Sequence, residues 1–145
     1  MWEYKNTDVS DEIIPEGSIG FVSKITNLSN DKIYYGRKML SMSSRKVVKG
    51  KSKKIRKTSN WQSYFGSCKE LLDDVKTLGE DNFKREILMF VKTKACLTLA
   101  EEYILHITGA LFNQNCYNNN IRAKIYRSWF LKTPTFFEEL QKVKL

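Results

Sequence analysis

The sequence predicts a single domain of the α/β class, of the α+β kind, and three observations carry that expectation. A chain of 145 residues with 41% hydrophobic residues is long enough for one core and too apolar for wholesale disorder. Three short segments, GFVSKITN, KIYYGR and FKREILMFV, have the β-branched and aromatic content of strands. Two longer ones, SCKELLDDVKTL and residues 97–112, read as helices.

In chain order, residues 1–18 read as an extended N-terminal arm ending at the Pro15 and Gly17 punctuation. In the next segment Phe21, Ser23 and Ile25 alternate with Val22, Lys24 and Thr26. LSNDK is a turn and KIYYGR resumes the strand, so residues 20–37 form a hairpin with a loop of about four or five residues. Residues 38–59 have little periodicity and much charge, and read as a mobile loop. Residues 67–78 form a helix opened by a capping box, Ser67 with Glu70, and closed by Gly79. Residues 83–91 make a third strand. Along 97–112, Leu97, Ala100, Ile104, Ile107 and Leu111 recur on one helical face. The Asn-rich NQNCYNNN ends that helix, and a C-terminal helical extension, residues 121–145, closes with a helix after Pro134. The main module therefore spans residues 19–120, without internal repeats.

Charge is distributed unevenly. The formal net charge is +9, yet no acidic residue occurs between Asp31 and Glu70, where twelve lysines and arginines lie. Eight of the thirteen residues from Arg45 to Lys57 are basic. A solubilising loop normally mixes signs, so this stretch points to an anionic partner. Lys38, Lys46, Lys49, Lys51, Lys53, Lys54, Arg56 and Lys57 are its candidate nucleic-acid contacts, with Trp61 and Tyr64 just beyond. For Trp61 core packing is the favoured reading.

Other classes are disfavoured. Cys68, Cys96 and Cys116 are odd in number and lack a C-x-x-C pair, which argues against a disulfide framework and a zinc ribbon. They read as packing residues. The single histidine, His106, removes most histidine-based metal motifs. No segment approaches the ~18 apolar residues of a membrane span, and MWEYKNTDVSDE lacks the pattern of a secretory signal. A cytoplasmic protein without a membrane partner or a small-molecule cofactor is the expectation.

Phosphodiester hydrolysis needs an oxygen ligand for a hard metal, a cation for developing charge, and a group that orients water. Glu101 is the outstanding ligand candidate, because Leu97, Ile104 and Leu105 at i−4, i+3 and i+4 put its carboxylate at the edge of an apolar face. An acid there is costly unless paired or metal-bound. On the residues alone, an edge glutamate paired with a lysine is the favoured reading.

The order GFVSKITN, loop, KIYYG, a helix ending in LG, NFKREIL, AEEYIL and CYN resembles the GIY-YIG nuclease family, from about Gly20 to Asn118. Within it, WQSYFGSCKELLDDVKTLGEDNFKREIL is similar to phage-borne, homing-type members. The resemblance implies a small three-stranded antiparallel sheet flanked by helices. It also implies a metal-dependent DNA endonuclease acting on double-stranded DNA, with one Mg²⁺ (or Mn²⁺) on Glu101 and products ending in 3′-hydroxyl and 5′-phosphate. For a phage-encoded enzyme the compartment would be the host cytoplasm. Tyr34 matches the tyrosine of the second signature, Tyr34-Tyr35-Gly36. Glu101 matches the metal ligand, and Asn118 the asparagine that closes the module. Arg37 and Arg45 both fit the phosphate-contacting arginine, with Arg45 slightly preferred on spacing. Ser23 falls where the first signature has a tyrosine. A serine hydroxyl cannot replace a phenol as base unaided, so Tyr34, Tyr35 or Tyr64 takes that role, or the enzyme is slow or inactive. A catalytically weak nucleic-acid binder on the same scaffold is thus the rival reading. An RNA- or ribosome-associated basic protein is the third, and it leaves the ordered motifs unexplained.

Overall fold

A computed structural model describes residues 1–121 and 126–145, with the side chains of 43–46 and 54–56 outside the description. Its strands are β1 (Trp2–Tyr4), β2 (Thr7–Asp8), β3 (Gly20–Asn27), β4 (Ile33–Met39), β5 (Ser41–Val48), β6 (Lys51–Thr58) and β7 (Phe83–Val91). Its α-helices are α1 (Lys69–Leu78), α2 (Lys94–Ile107) and α3 (Phe136–Gln141). The fold is a mixed α/β single domain.

The main sheet has five strands in the order β2-β1-β7-β3-β4, not three. β3 pairs antiparallel with β4 and with β7, as a purely antiparallel sheet requires. β1 then joins β7 in parallel, which makes the sheet mixed. The expected arm is thus part of the sheet. Lys5 and Asn6 both take positive φ, which turns β1 back into β2. Trp2 is buried, and its indole N–H donates to the Trp61 carbonyl at 2.8 Å. A two-residue turn on Lys-Asn and strands of three and two residues are too short for periodicity to reveal.

The sheet separates two apolar clusters. On one face Trp2, Phe21, Ile25, Tyr34, Trp61, Phe65, Leu71 and Tyr117 pack beneath α1 and the segment leading to it. On the other, Val22, Tyr35, Val91, Leu97, Ala100 and Ile104 meet α2, and Phe136 and Leu140 of α3 join them. β3 is buried on both faces along Gly20–Ser23, as a central strand covered on two sides must be.

Helix ends differ in detail from the capping expectation. Cys68, not Ser67, is the N-cap of α1, and it makes no side-chain cap bond. Gly79 closes α1 at φ +90°. α2 begins earlier than expected, where the Thr93 hydroxyl accepts from the Cys96 N–H at 3.0 Å. It also ends earlier, at Ile107, before Gly109 in the left-handed region, and Ile107, expected on the buried face, is 57% exposed.

The largest departure lies in residues 38–59. Instead of a mobile loop they continue β4 and form a separate two-stranded antiparallel ribbon, β5–β6. Lys49 at φ +52° and Gly50 at φ +73° make its turn, with the left-handed pair of a type I′ hairpin.

Anchoring of the N-terminal strand by Trp2 yields a first prediction. Trp2→Ala removes a large buried ring and the partner of the Trp61 carbonyl, and should cost about 3–5 kcal/mol. Urea denaturation measures it, and a loss below about 1 kcal/mol would show that the sheet does not depend on β1.

Candidate functional site

Strand β4 lies at the edge of the sheet, and its exposed backbone groups need partners. Along its first half they are supplied by residues 115–118. The Ile33 N–H donates to the Asn115 carbonyl at 2.9 Å, and the Tyr117 N–H to the Ile33 carbonyl at 2.8 Å. The Asn118 carboxamide then meets Tyr35 twice: its Oδ1 accepts from the Tyr35 N–H at 2.9 Å, and its Nδ2 donates to the Tyr35 carbonyl at 2.7 Å. Beyond Tyr35 the edge opens into a cleft of about 860 Å³. Because the cleft lies at an edge, it receives side chains from both faces of the sheet.

From one face come Tyr34, Tyr64 and Ser67. Tyr34 is buried, and its hydroxyl lies 2.9 Å from the Ser67 hydroxyl. Two glycines make room for its ring. A Cβ at Gly36 would stand 2.6 Å from the ring, and one at Gly66 would stand 2.9 Å away. The glycine of the second signature therefore serves the tyrosine two residues before it. The Tyr64 hydroxyl donates to the Arg37 carbonyl at 3.3 Å, and the Lys38 ammonium sits 4.8 Å above the Tyr64 ring. Burial first, and then the neighbouring Tyr34, push the Tyr64 phenol well above its ordinary value.

From the other face come Arg37, Thr98 and Glu101. Arg37 Nη1 donates to the Thr98 hydroxyl at 2.7 Å, and its Nε stands 3.9 Å from Glu101 Oε2. That is an ion pair too long for a hydrogen bond, so it leaves carboxylate lone pairs for a ligand. Burial raises the Glu101 pKa, and Arg37 opposes the rise. Lys69 and Lys94 line the same cleft. Glu102 turns away, its Oε2 lying 3.3 Å from His106 Nε2.

The expected residues are thus partly assembled. Tyr34, Arg37, Glu101 and Asn118 surround one cleft, with Lys38 and Tyr64 on its wall. Arg45, the preferred arginine, lies on β5 with its side chain outside the described residues. The same holds for the side chains of Lys46, Lys54 and Arg56. Lys49, Lys51, Lys53 and Lys57 are exposed along the ribbon. Two of the candidates lie away from the cleft. Trp61 is 7% exposed, packed near Phe21 and bonded to Trp2, a core residue and not a nucleic-acid contact. Ser23 is 1% exposed, with its hydroxyl 3.4 Å from the Gly36 carbonyl, and it does not line the cleft.

Two positioning residues escaped the sequence reading. Arg85 is buried, its guanidinium 4.8 Å from the Trp2 ring and 4.1 Å from the Phe65 ring. It donates to the carbonyls of Gln62 and Tyr64 at 3.0 and 2.9 Å, and so fixes the segment that presents Tyr64. The signal was its place between Phe83 and Ile87 on the buried face of β7. Asn27, also buried, donates to the Tyr117 hydroxyl at 3.0 Å and accepts from Asn82 at 2.8 Å. Tyr117 in turn donates to Asp74 at 2.6 Å. Burial, with Asp74 beside it, pushes the Tyr117 phenol up to about 12.

Residues 2–121 match the model of the GIY-YIG domain of putative endonuclease segE. The match takes in β1 and β2, which lie outside the span over which the motifs resemble the family. Nothing matches among the curated proteins or among the solved structures.

A tyrosine at position 23 would not regain the cleft. Ser23 lies directly across from Gly36, and the Tyr34 ring already covers that glycine. Ser23→Tyr should therefore overpack the strand and cost ~1–3 kcal/mol, without faster cleavage. A thermal melt and single-turnover rates check it; a stable variant that cuts faster would show that the ring finds its way to the cleft.

Proposed function

We propose that this chain, which belongs to the GIY-YIG nuclease family by its match over residues 2–121, is a metal-dependent endonuclease of double-stranded DNA. The observation that carries this reading is the convergence of Tyr34, Arg37 and Glu101 on one cleft at the open edge of β4. The donor set suits Mg²⁺ or Mn²⁺. One carboxylate is enough for Mg²⁺, which keeps several waters and takes further oxygens from a phosphate. A cation on Glu101 would neutralise charge on the phosphate and lower the pKa of a coordinated water.

The chain's own residues do the rest. Arg37 is 44% exposed on its side chain, so its hold on Glu101 is weak and the guanidinium is available to a non-bridging phosphate oxygen. Lys38, Lys69 and Lys94 draw the DNA backbone towards the cleft. The Tyr34 hydroxyl, tied to Ser67, orients the attacking water. Tyr64, with its raised pKa, stays protonated at neutral pH and acts as a hydrogen-bond donor rather than as a base. Water adds to phosphorus and the 3′-oxygen departs with a proton, leaving 3′-hydroxyl and 5′-phosphate ends. The rival reading, a weak or inactive binder, rests on Ser23; the Tyr34 hydroxyl at the cleft weighs against it. The homing-type and phage-encoded setting, and with it the host cytoplasm, draws on the similarity of residues 61–88 to such members of the family. No helix among the described residues is long and apolar enough to cross a membrane.

Glu101→Gln should slow nicking of supercoiled plasmid in Mg²⁺ by roughly a hundredfold or more, with DNA affinity nearly unchanged. Wild-type nicking by that variant would remove Glu101 from the site. Tyr64→Phe deletes a donor that can bond a charged oxygen, worth about 1.5–3 kcal/mol, or roughly 10–100-fold in rate. An unaltered single-turnover rate would leave Tyr64 a packing residue.

A further inference from the structure

The β5–β6 ribbon is costly as it stands. Among the described residues it pairs only with itself, and an isolated two-stranded hairpin is marginal in water. Lys51 and Lys53 stand two residues apart on one exposed face of β6, with Lys57 further along it, and like charges so placed repel one another. Binding a polyanion removes that penalty. The register also orients the ribbon. Met42, which lines the cleft, lies opposite Lys57. Alternation along the strands then puts Val48, Lys51 and Lys53 on the same face as Met42 and Lys57. A cationic track thus runs from the cleft wall to the hairpin tip, where Val47 is 72% exposed beside Lys49 and Gly50.

Shape and length select the surface that fits. Eight residues of strand extend about 26 Å, and two paired strands are narrow enough for the ~12 Å major groove but not for the ~6 Å minor groove. We infer that the β5–β6 ribbon lies in the major groove of the duplex held in the cleft. Lys51, Lys53 and Lys57 grip its phosphates and the Val47–Val48 tip meets base edges, where apolar side chains contact thymine methyls. This rests on the reading of the chain as acting on double-stranded DNA. It adds a recognition element inside the nuclease module itself.

The test uses the full chain and a duplex of about 30 bp, roughly three helical turns, in EDTA so that no cleavage occurs. Binding is followed by anisotropy between about 50 and 200 mM salt. The exposed-lysine variant Lys51→Gln/Lys53→Gln/Lys57→Gln, its fold checked by circular dichroism, should flatten the log–log salt slope by about 0.9 per lost contact, up to ~2.7. Methyl green, a major-groove ligand, should displace the wild type while netropsin, a minor-groove ligand, does not. An unchanged slope, displacement by netropsin alone, or equal competition by double-stranded RNA, whose major groove is too narrow, would each overturn the inference. Plasmid nicking is scored separately. Both binding signatures without nicking support the ribbon and fail the nuclease reading, whereas nicking with an unchanged slope fails the ribbon alone.

Discussion

An edge strand must satisfy or shield its outward backbone groups, and the way β4 does so shapes the rest of this molecule. Residues 115–118 seal the half from Ile33 to Tyr35, with the Asn118 carboxamide standing in for the next strand. From Gly36 to Met39 side chains take over, the Arg37 and Met39 carbonyls accepting from the Tyr64 and Ser59 hydroxyls, and the cleft opens alongside. Alternation then sends Tyr34 to one face and Arg37 to the other, and an open edge is a place where side chains from both faces can meet. Had another strand covered β4 fully, Ser67 and Glu101 would lie on opposite sides of a closed sheet. The seal is itself held from behind by the Asn82–Asn27–Tyr117–Asp74 chain of hydrogen bonds. That chain ties β3, α1 and the turn that leads into β7 to the segment carrying Asn118.

Magnitudes explain why the site is poised rather than self-neutralised. A half-exposed pair such as Arg37–Glu101 contributes about 0–1 kcal/mol. A guanidinium–phosphate contact in a partly dehydrated cleft competes easily with that. Burial disfavours the charged form of Glu101 and Arg37 opposes it only in part, so a ligand that brings positive charge would favour the carboxylate further. Such a group is tolerated because the surrounding fold over-determines its position. α2 presents Glu101 from a helix anchored by Leu97, Ala100 and Ile104 in the second apolar cluster.

Long-range contacts also explain the parts that local patterns mistook. The basic stretch lacks apolar alternation because the ribbon covers no core, and its turn is formed by Lys49-Gly50 rather than by the Asn-Gly or Asp-Gly pairs that announce such turns. Ser67 fits a capping box on spacing, but its hydroxyl is engaged by Tyr34 and the helix starts one residue later. Ser23 looked like a lost catalytic position. In the fold its strand is covered on both faces there, and Tyr34 and Tyr64 supply the phenols from elsewhere in the chain.

By itself the sequence determined the elements whose period exceeds a few residues: β3, β4, β7, α1 and most of α2, because each must turn an apolar stripe or row towards a core. It also singled out Glu101, since an acid beside Leu97, Ile104 and Leu105 stands out in any one-dimensional pattern. Only the tertiary structure decided that Trp2 belongs to the sheet, that Trp61 faces the core and not a ligand, that Arg37 reaches Glu101, and that Arg85 holds Tyr64 in place. Those outcomes depend on contacts such as Trp2 with Trp61 and Arg37 with Glu101. Their partners lie far apart in the chain, and neither partner carries a local mark of the other.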